Sequence, residues 1–87
     1  MIQVQYDRAF LKLVKRLPTR IQQQLAQTLV TLQENPFHPT LHTKRLSGSL
    51  TGIISYRVTR DYRVTFQFLD ETNIQLLDVS HRKDIYR

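Results

Sequence analysis

Apolar residues in the first third of the chain follow two different periods. Ile2, Val4 and Tyr6 alternate with polar residues, which is the period of a half-buried strand. The apolar residues that follow recur every three or four positions, which predicts two helices. Their apolar stripes are Phe10, Leu13, Val14 and Leu17 in the first and Ile21, Leu25, Leu29 and Leu32 in the second.

Capping residues and prolines define the predicted helix ends. Asp7 can accept a hydrogen bond from the first turn of the first helix. Pro18 ends that helix and suits the first turn of the next one. The run Glu34-Asn35-Pro36 ends the second helix, and residues 37–46 are predicted to form a loop.

The second half of the chain has the pattern of a β-sheet. Gly48 and Gly52 precede it and indicate a tight turn at which Cβ atoms would clash. Three strands are predicted at roughly residues 53–58, 62–69 and 73–80. The order β-α-α-β-β-β predicts an α+β fold in which two N-terminal helices pack on an antiparallel sheet.

A repeated triplet determines the register of the first hairpin. The sequence YRVTRDYRV places Arg57 opposite Arg63 if residues 59–61 form the turn. A two-residue turn would set Arg57 against Val64 and bury a charge, so the pattern favours three residues. Like charges facing each other destabilise a sheet, but a phosphate between two guanidiniums relieves the repulsion. The pair therefore predicts an anion site on the sheet face away from the helices, with a solvated basic face as the alternative.

The last strand is expected to extend this cluster. A two-residue turn at positions 71–72 would pair Phe66 with Leu77 and set Ser80 beside Arg63. The same register would expose an apolar seat for a partner peptide on that face. The seat would consist of Leu69, Ile74 and Leu76, and the basic cluster would be completed by His81, Arg82 and Lys83.

Two residues near the chain end could do more than bind phosphate, namely transfer a proton or stack on a base. His81 is a candidate for proton transfer because imidazole titrates near neutral pH, although a lone histidine is more often structural. Tyr86 could stack on a nucleic-acid base. His38 and His42 have no further ligand at a suitable spacing, so neither a metal site nor a cofactor is predicted.

Charge and composition narrow the class of partner. The chain of 87 residues, predicted to be one domain over residues 1–87, carries a formal net charge of +6. Such an excess favours a polyanionic partner, most often nucleic acid. The absence of cysteine excludes disulfides and thiolate metal sites. Because neither a membrane-span pattern nor a signal-peptide pattern is found, the expected location is the cytoplasm.

The ordered motifs resemble the RelE/ParE superfamily of type II toxin–antitoxin toxins. They run from Leu46-Ser47-Gly48-Ser49-Leu50-Thr51-Gly52 through the arginine hairpin to His81-Arg82-Lys83-Asp84-Ile85-Tyr86-Arg87. The resemblance covers essentially the whole chain and is closest to the RelE and YoeB branch. It implies an antitoxin partner and metal-independent cleavage of messenger RNA in the ribosomal A site, with the substrate's 2′-hydroxyl as nucleophile. The expected outcome is inhibition of translation.

The resemblance also implies the site residues, which are Lys44, Arg57, Arg63, His81, Arg82 and Tyr86. RelE carries lysines where Ser55 and Arg57 stand, and YoeB carries a glutamate where Lys44 stands. The general base therefore stays open between His81 and Lys44. Two alternatives to the nuclease also remain, namely a ParE-like inhibitor of DNA gyrase and a plain nucleic-acid-binding module.

Overall fold

Two α-helices and five β-strands form the fold in the computed structural model, which describes residues 1–81 and residue 83. Two short 3₁₀ helices, Pro39–Leu41 and Gly48–Leu50, lie in the connections. The main elements are β1 (Gln3–Gln5), α1 (Arg8–Lys15), α2 (Thr19–Glu34), β2 (Lys44–Arg45), β3 (Ile54–Arg57), β4 (Tyr62–Phe68) and β5 (Asn73–His81).

The five strands form one sheet in the order β1-β5-β4-β3-β2. Strands β2 to β5 pair antiparallel, whereas β1 pairs parallel with β5. The predicted α+β class with two N-terminal helices is confirmed. The predicted antiparallel pairing does not extend to β1, which lies at the sheet edge beside β5 and parallel to it, while the crossover through both helices leads to β2 at the opposite edge.

The helix ends lie where the sequence predicts them. The Asp7 carboxylate accepts a hydrogen bond from the Phe10 N–H at 2.8 Å, which caps α1. Pro18 is the N-cap residue of α2, and the N–H of Asn35 donates to the carbonyl of Thr31 at 2.8 Å beyond its last turn. Among the described residues, no helix combines the length and the apolar composition that crossing a membrane requires.

The hydrophobic core lies between the helices and one face of the sheet. Of the predicted stripe on α2, Ile21, Leu25 and Leu32 are buried, while Leu29 is partly covered. The sheet contributes Ile54, Tyr56, Val64, Phe66, Ile74, Leu76 and Val79, all of them buried.

The Tyr56 hydroxyl finds a partner inside this core. The hydroxyl of Thr28 donates to the Leu25 carbonyl at 2.9 Å, which leaves the Thr28 oxygen to accept from Tyr56 at 3.1 Å. Burial raises the pKa of Tyr56 far above its ordinary value, and the bond to Thr28 opposes that rise. The phenol is therefore neutral in the folded protein, and its one polar atom is satisfied.

Residues 37–46, predicted as a loop, contain a 3₁₀ helix and the short strand β2. Lys44 pairs with Ser55 and Arg45 with Ile54. The Arg45 guanidinium lies 5.4 Å from the centre of the Phe37 ring, which favours a cation–π contact. A two-residue strand is too short to produce an alternating pattern, and its two basic side chains suit the edge of a sheet.

Glycine is favoured at these two positions by the backbone conformation and not by close packing. Gly48 has φ of 67° and Gly52 has φ of 92°, both in the left-handed region that favours glycine. Apart from the glycine itself and its chain neighbours, no atom of the described residues lies within 4 Å of a Cβ built at either position. The predicted tight turn is present, but the predicted clash is wrong.

The β4–β5 turn consists of residues 70–72, not of the two residues predicted. The Leu69 N–H donates to the Asn73 carbonyl at 2.8 Å. The Asp70 carboxylate accepts from the N–H groups of Thr72 and Asn73 at 2.8 and 2.9 Å. The Asn73 side-chain amide and the Thr72 N–H lower the pKa of Asp70 below its usual value. This network stabilises a longer turn and changes the register.

A β-bulge restores the predicted register farther along β5. The register shifts between Thr65 and Phe66, so that Phe66 pairs with Leu76 and Leu77 is the extra residue. Beyond the bulge the predicted pairing of Arg63 with Ser80 is confirmed.

The predicted apolar seat on the outer sheet face is therefore wrong. Ile74 and Leu76 face the core, where they are 0% and 1% exposed. Only Leu69, at 49%, is exposed as expected. The cause is the longer turn, because a shift of one residue moves side chains to the opposite face of a strand.

Candidate functional site

The hairpin between β3 and β4 has the register that places two arginines face to face. Arg57 pairs directly with Arg63, and the Val58 N–H donates to the Tyr62 carbonyl at 2.9 Å at the start of the turn. Inside the turn, the Thr59 hydroxyl accepts from the N–H of Tyr62 at 3.3 Å. The predicted three-residue turn is confirmed, and it places both guanidiniums on one side of the sheet.

We call this side, opposite the helices, the polar face. Its first set of side chains is the arginine row, in which Arg57, Arg63 and Ser80 lie opposite one another on β3, β4 and β5. Both arginines are half-buried. Guanidinium groups are suited to phosphate and carboxylate ligands because their planar N–H donors can bind two oxygens at once.

A second set of side chains, the mixed row, lies next to the arginine row. Lys44, Ser55, Thr65 and Asp78 are paired successively across β2, β3, β4 and β5. Because directly paired residues project to the same side of a sheet, this row shares the polar face with the arginines. The two rows together bring cations, hydroxyls and one carboxylate onto a single surface.

Several polar atoms of the polar face are buried without a hydrogen-bond partner in the described part of the chain. They are the Ser55 hydroxyl oxygen, the Ser80 hydroxyl oxygen and the Nε of Arg57. Ser55 is 0% exposed. Buried polar atoms are nearly always paired in folded proteins, so each exception needs an explanation, such as a catalytic role or a bound water or ion. The polar face therefore has hydrogen-bonding capacity that the fold itself does not use.

His81 lies at the end of β5 and is paired with Tyr62, not with an arginine. The two rings meet edge to face, with centroids 5.5 Å apart. The His81 Nδ1 accepts from the Lys83 N–H at 3.3 Å, so the Nε2 of the neutral ring would carry the hydrogen. Since side chains alternate along a strand, His81 projects away from Ser80 and the polar face.

The predicted site residues are thus only partly brought together. Lys44, Arg57 and Arg63 share the polar face, with Lys44 exposed at the sheet edge on β2. His81 lies at the sheet end, on the other side of β5. Arg82 and Tyr86, which the resemblance also assigns to the site, lie outside the described residues.

Sequence reasoning did not count four polar-face residues as site residues, namely Ser55, Thr65, Asp78 and Ser80. The alternation of side chains carries the signal for all of them, because each is paired with a residue of one of the two rows. No group of three or more metal-ligating His, Asp or Glu side chains occurs within the described positions.

Comparison with known proteins gives the same family that the sequence motifs resemble. The sequence profile of the ParE toxin family of type II toxin–antitoxin systems matches residues 4–86. The chain belongs to this family. The match confirms the RelE/ParE superfamily that the motifs indicated, and it makes the protein a toxin of the type II class. Curated protein sequences give no significant match.

Solved structures confirm the fold of this ParE-family toxin. YafQ from E. coli is 18% identical, with all of both chains covered and a TM-score of 0.78. The RelBE2 toxin–antitoxin complex from Mycobacterium tuberculosis contains a chain 26% identical, with 93% of this chain and 98% of that one covered and a TM-score of 0.78. The RelB–RelE antitoxin–toxin complex from Methanococcus jannaschii contains a chain 22% identical, with 94% of each covered and a TM-score of 0.74.

Proposed function

We propose that this ParE-family toxin is an endoribonuclease that cleaves messenger RNA on the ribosome without a metal ion. The observation that carries the proposal is the arginine row, in which Arg57 faces Arg63 beside buried, unpartnered polar atoms. Two like charges held together are unfavourable in a merely structural surface. They become favourable when the anionic oxygens of a phosphate lie between them.

The reaction requires three contributions from the protein. A base takes the proton of the 2′-hydroxyl, donors stabilise charge on the phosphate, and an acid protonates the departing 5′-oxygen. Arg57 and Arg63 supply the donors that stabilise charge on the phosphate. The resemblance assigns proton transfer to His81 or Lys44, and it adds Arg82 at the phosphate and Tyr86 as a base-stacking residue.

An antitoxin is the proposed protein partner. The related chains from Mycobacterium tuberculosis and Methanococcus jannaschii were each solved with an antitoxin. An apolar groove between α1 and α2 is a suitable seat on this chain, since it includes Tyr6 and Leu11, which are 55% and 39% exposed. Exposed apolar surface of this kind commonly marks a protein interface. This groove replaces the seat that the sequence predicted on the sheet.

Inhibition of DNA gyrase is a second candidate function. It is favoured by the family match, because the matching profile is that of ParE toxins. It is disfavoured by the polar face, since an inhibitor that cleaves nothing does not require paired arginines beside unpartnered hydroxyls. The fold alone is compatible with either activity.

One experiment in cells separates the two functions. The protein is induced, and messenger RNA 5′ ends and plasmid topology are measured in the same cultures, with a gene that carries an early stop codon as control. New 5′ ends in frame with codons support the nuclease. Altered supercoiling with intact messages would overturn the nuclease in favour of gyrase inhibition.

A further inference from the structure

One carboxylate lies among the cations of the polar face. Asp78 is the only acidic residue in the strands of the described chain, and it pairs directly with Thr65 in the mixed row. It is half-buried, and no hydrogen bond or ion pair of its carboxylate is found among the described residues. A half-buried carboxylate without a partner is unusual enough to need a reason.

Among residues 1–81, the charged groups that share a face with Asp78 are all cations. Arg63 on β4 is its diagonal neighbour, at a Cα separation of about 7–8 Å for such positions in a sheet. Arg57 on β3 and Lys44 on β2 lie farther across the same face. His81 is on the same strand, but it projects to the other side. The carboxylate therefore lies next to the cations that would bind a phosphate.

A carboxylate beside a phosphate site repels the phosphate unless it also bonds to a donor of the substrate. The 2′-hydroxyl is a donor that sits next to the scissile phosphate in every ribonucleotide. A phosphate bound by the arginine row would therefore bring a hydroxyl proton toward Asp78. Of the other candidate bases, His81 projects to the other side of the sheet, whereas Lys44 on β2 is diagonal to Arg57 much as Asp78 on β5 is diagonal to Arg63. The choice of Asp78 over Lys44 rests on chemistry, because a carboxylate accepts a proton and an ammonium group has no lone pair to accept one.

We infer that Asp78 is the general base of the cleavage reaction, an assignment that rests on the proposed function. The Asp78 carboxylate takes the 2′-hydroxyl proton as the 2′-oxygen forms a bond to phosphorus. The bond from phosphorus to the 5′-oxygen breaks, and that oxygen leaves with a proton from a separate acid. The products are a 2′,3′-cyclic phosphate and a 5′-hydroxyl. An in-line displacement places the 5′-oxygen on the far side of phosphorus from the 2′-oxygen, so its proton comes from a group away from Asp78. The resemblance leaves His81, at the end of the sheet, for that role.

The test is single-turnover cleavage on programmed ribosomes by Asp78→Asn, which keeps the size of the side chain and removes its charge. The matched control is Glu71→Gln, which removes an equal charge in the exposed β4–β5 turn. We expect cleavage by Asp78→Asn to fall about 10²–10⁴-fold, the usual loss for a general base. Glu71→Gln should cleave as the wild type does. Thermal unfolding of both variants checks that each is folded.

A modified substrate distinguishes a base from an acid. Sulfur in place of the 5′-oxygen makes a leaving group that needs no protonation. With this substrate, His81→Ala should regain rate, whereas Asp78→Asn should stay slow. Rescue of Asp78→Asn by the sulfur would overturn the base assignment.

The pH profile separates a base from a residue that only offsets the arginine charges. The wild-type rate should decline at low pH as the carboxylate is protonated, and Asp78→Asn should lack this decline. A slow Asp78→Asn protein with the wild-type pH profile would contradict the inference, as would cleavage at the wild-type rate. If the wild type itself cuts no RNA, the proposed function fails and the inference fails with it.

Discussion

The two faces of the sheet differ in whether their buried polar groups have hydrogen-bond partners. Ser55 and Tyr56 are neighbours in β3, and both are 0% exposed. Tyr56 faces the helices, where its hydroxyl is bonded to Thr28. Ser55 faces the other side, where its hydroxyl has no partner in the described part of the chain. The helix side is completed by the chain's own residues, whereas the polar face retains bonding capacity suited to a ligand.

Truncation of the core on the helix side should have the largest effect on stability. Phe66 is 0% exposed and packs against Tyr56 and Phe68, with ring centroids 6.3 and 5.9 Å away. We expect Phe66→Ala to lower the free energy of unfolding by about 3–5 kcal/mol, measured by urea denaturation. Phe37→Ala, at a ring that is 48% exposed, is the control and should cost much less. Equal losses of unfolding free energy in the two variants would contradict the placement of Phe66 in the core.

Ser55→Ala should raise the free energy of unfolding, whereas Phe66→Ala lowers it. An unpartnered buried hydroxyl costs about 1–3 kcal/mol of desolvation, so its removal should raise the free energy of unfolding, by an amount of that order at most. The same variant should cleave RNA more slowly if the hydroxyl binds substrate. Urea denaturation and single-turnover cleavage of one preparation check both statements. A destabilised Ser55→Ala protein would show that the hydroxyl is satisfied within the fold.

Tyr56→Phe should give the smallest change, a loss of about 0.5–1.5 kcal/mol from one satisfied hydrogen bond. Because the pKa of Tyr56 is raised in the folded state, its contribution is complete below the unfolded pKa of about 10 and is lost as the pH rises above it. Wild-type stability should therefore decline above about pH 10 more steeply than that of Tyr56→Phe. Parallel alkaline profiles would rule out Tyr56 as the cause.

The sequence was most informative where a wrong register would bury a charge. The arginine hairpin is predicted correctly because any even turn would place Arg57 among apolar residues. The helix ends are likewise predicted from Asp7, Pro18 and Asn35, whose effects are local. These features depend on short stretches of chain, and so a single sequence suffices for them.

Features that depend on distant partners were missed. The bulge at Leu77 follows from the Asp70 hydrogen-bond network in the β4–β5 turn, and β2 exists only through its pairing with β3. His81 was grouped with the polar face for a different reason: the predicted pairing of Arg63 with Ser80 already sets His81 against Tyr62, and the alternation of side chains was not followed to that last residue. The place of Asp78 was available from the sequence, because the predicted register already pairs it with Thr65 and alternation along β5 puts it on the same face as Ser80.

Arg63→Ala tests the central claim most directly, with Arg60→Ala, at an exposed position in the hairpin turn, as the matched control. Cleavage on programmed ribosomes and the free energy of unfolding are measured on the same preparations. We predict that Arg63→Ala loses cleavage by about 10²–10³-fold, the usual loss for a group that stabilises transition-state charge. Its stability should change by less than about 1 kcal/mol, since the substitution also removes like-charge repulsion. Arg60→Ala should retain both properties. A folded Arg63→Ala protein that cleaves at the wild-type rate would contradict the assignment of the polar face as a phosphate site.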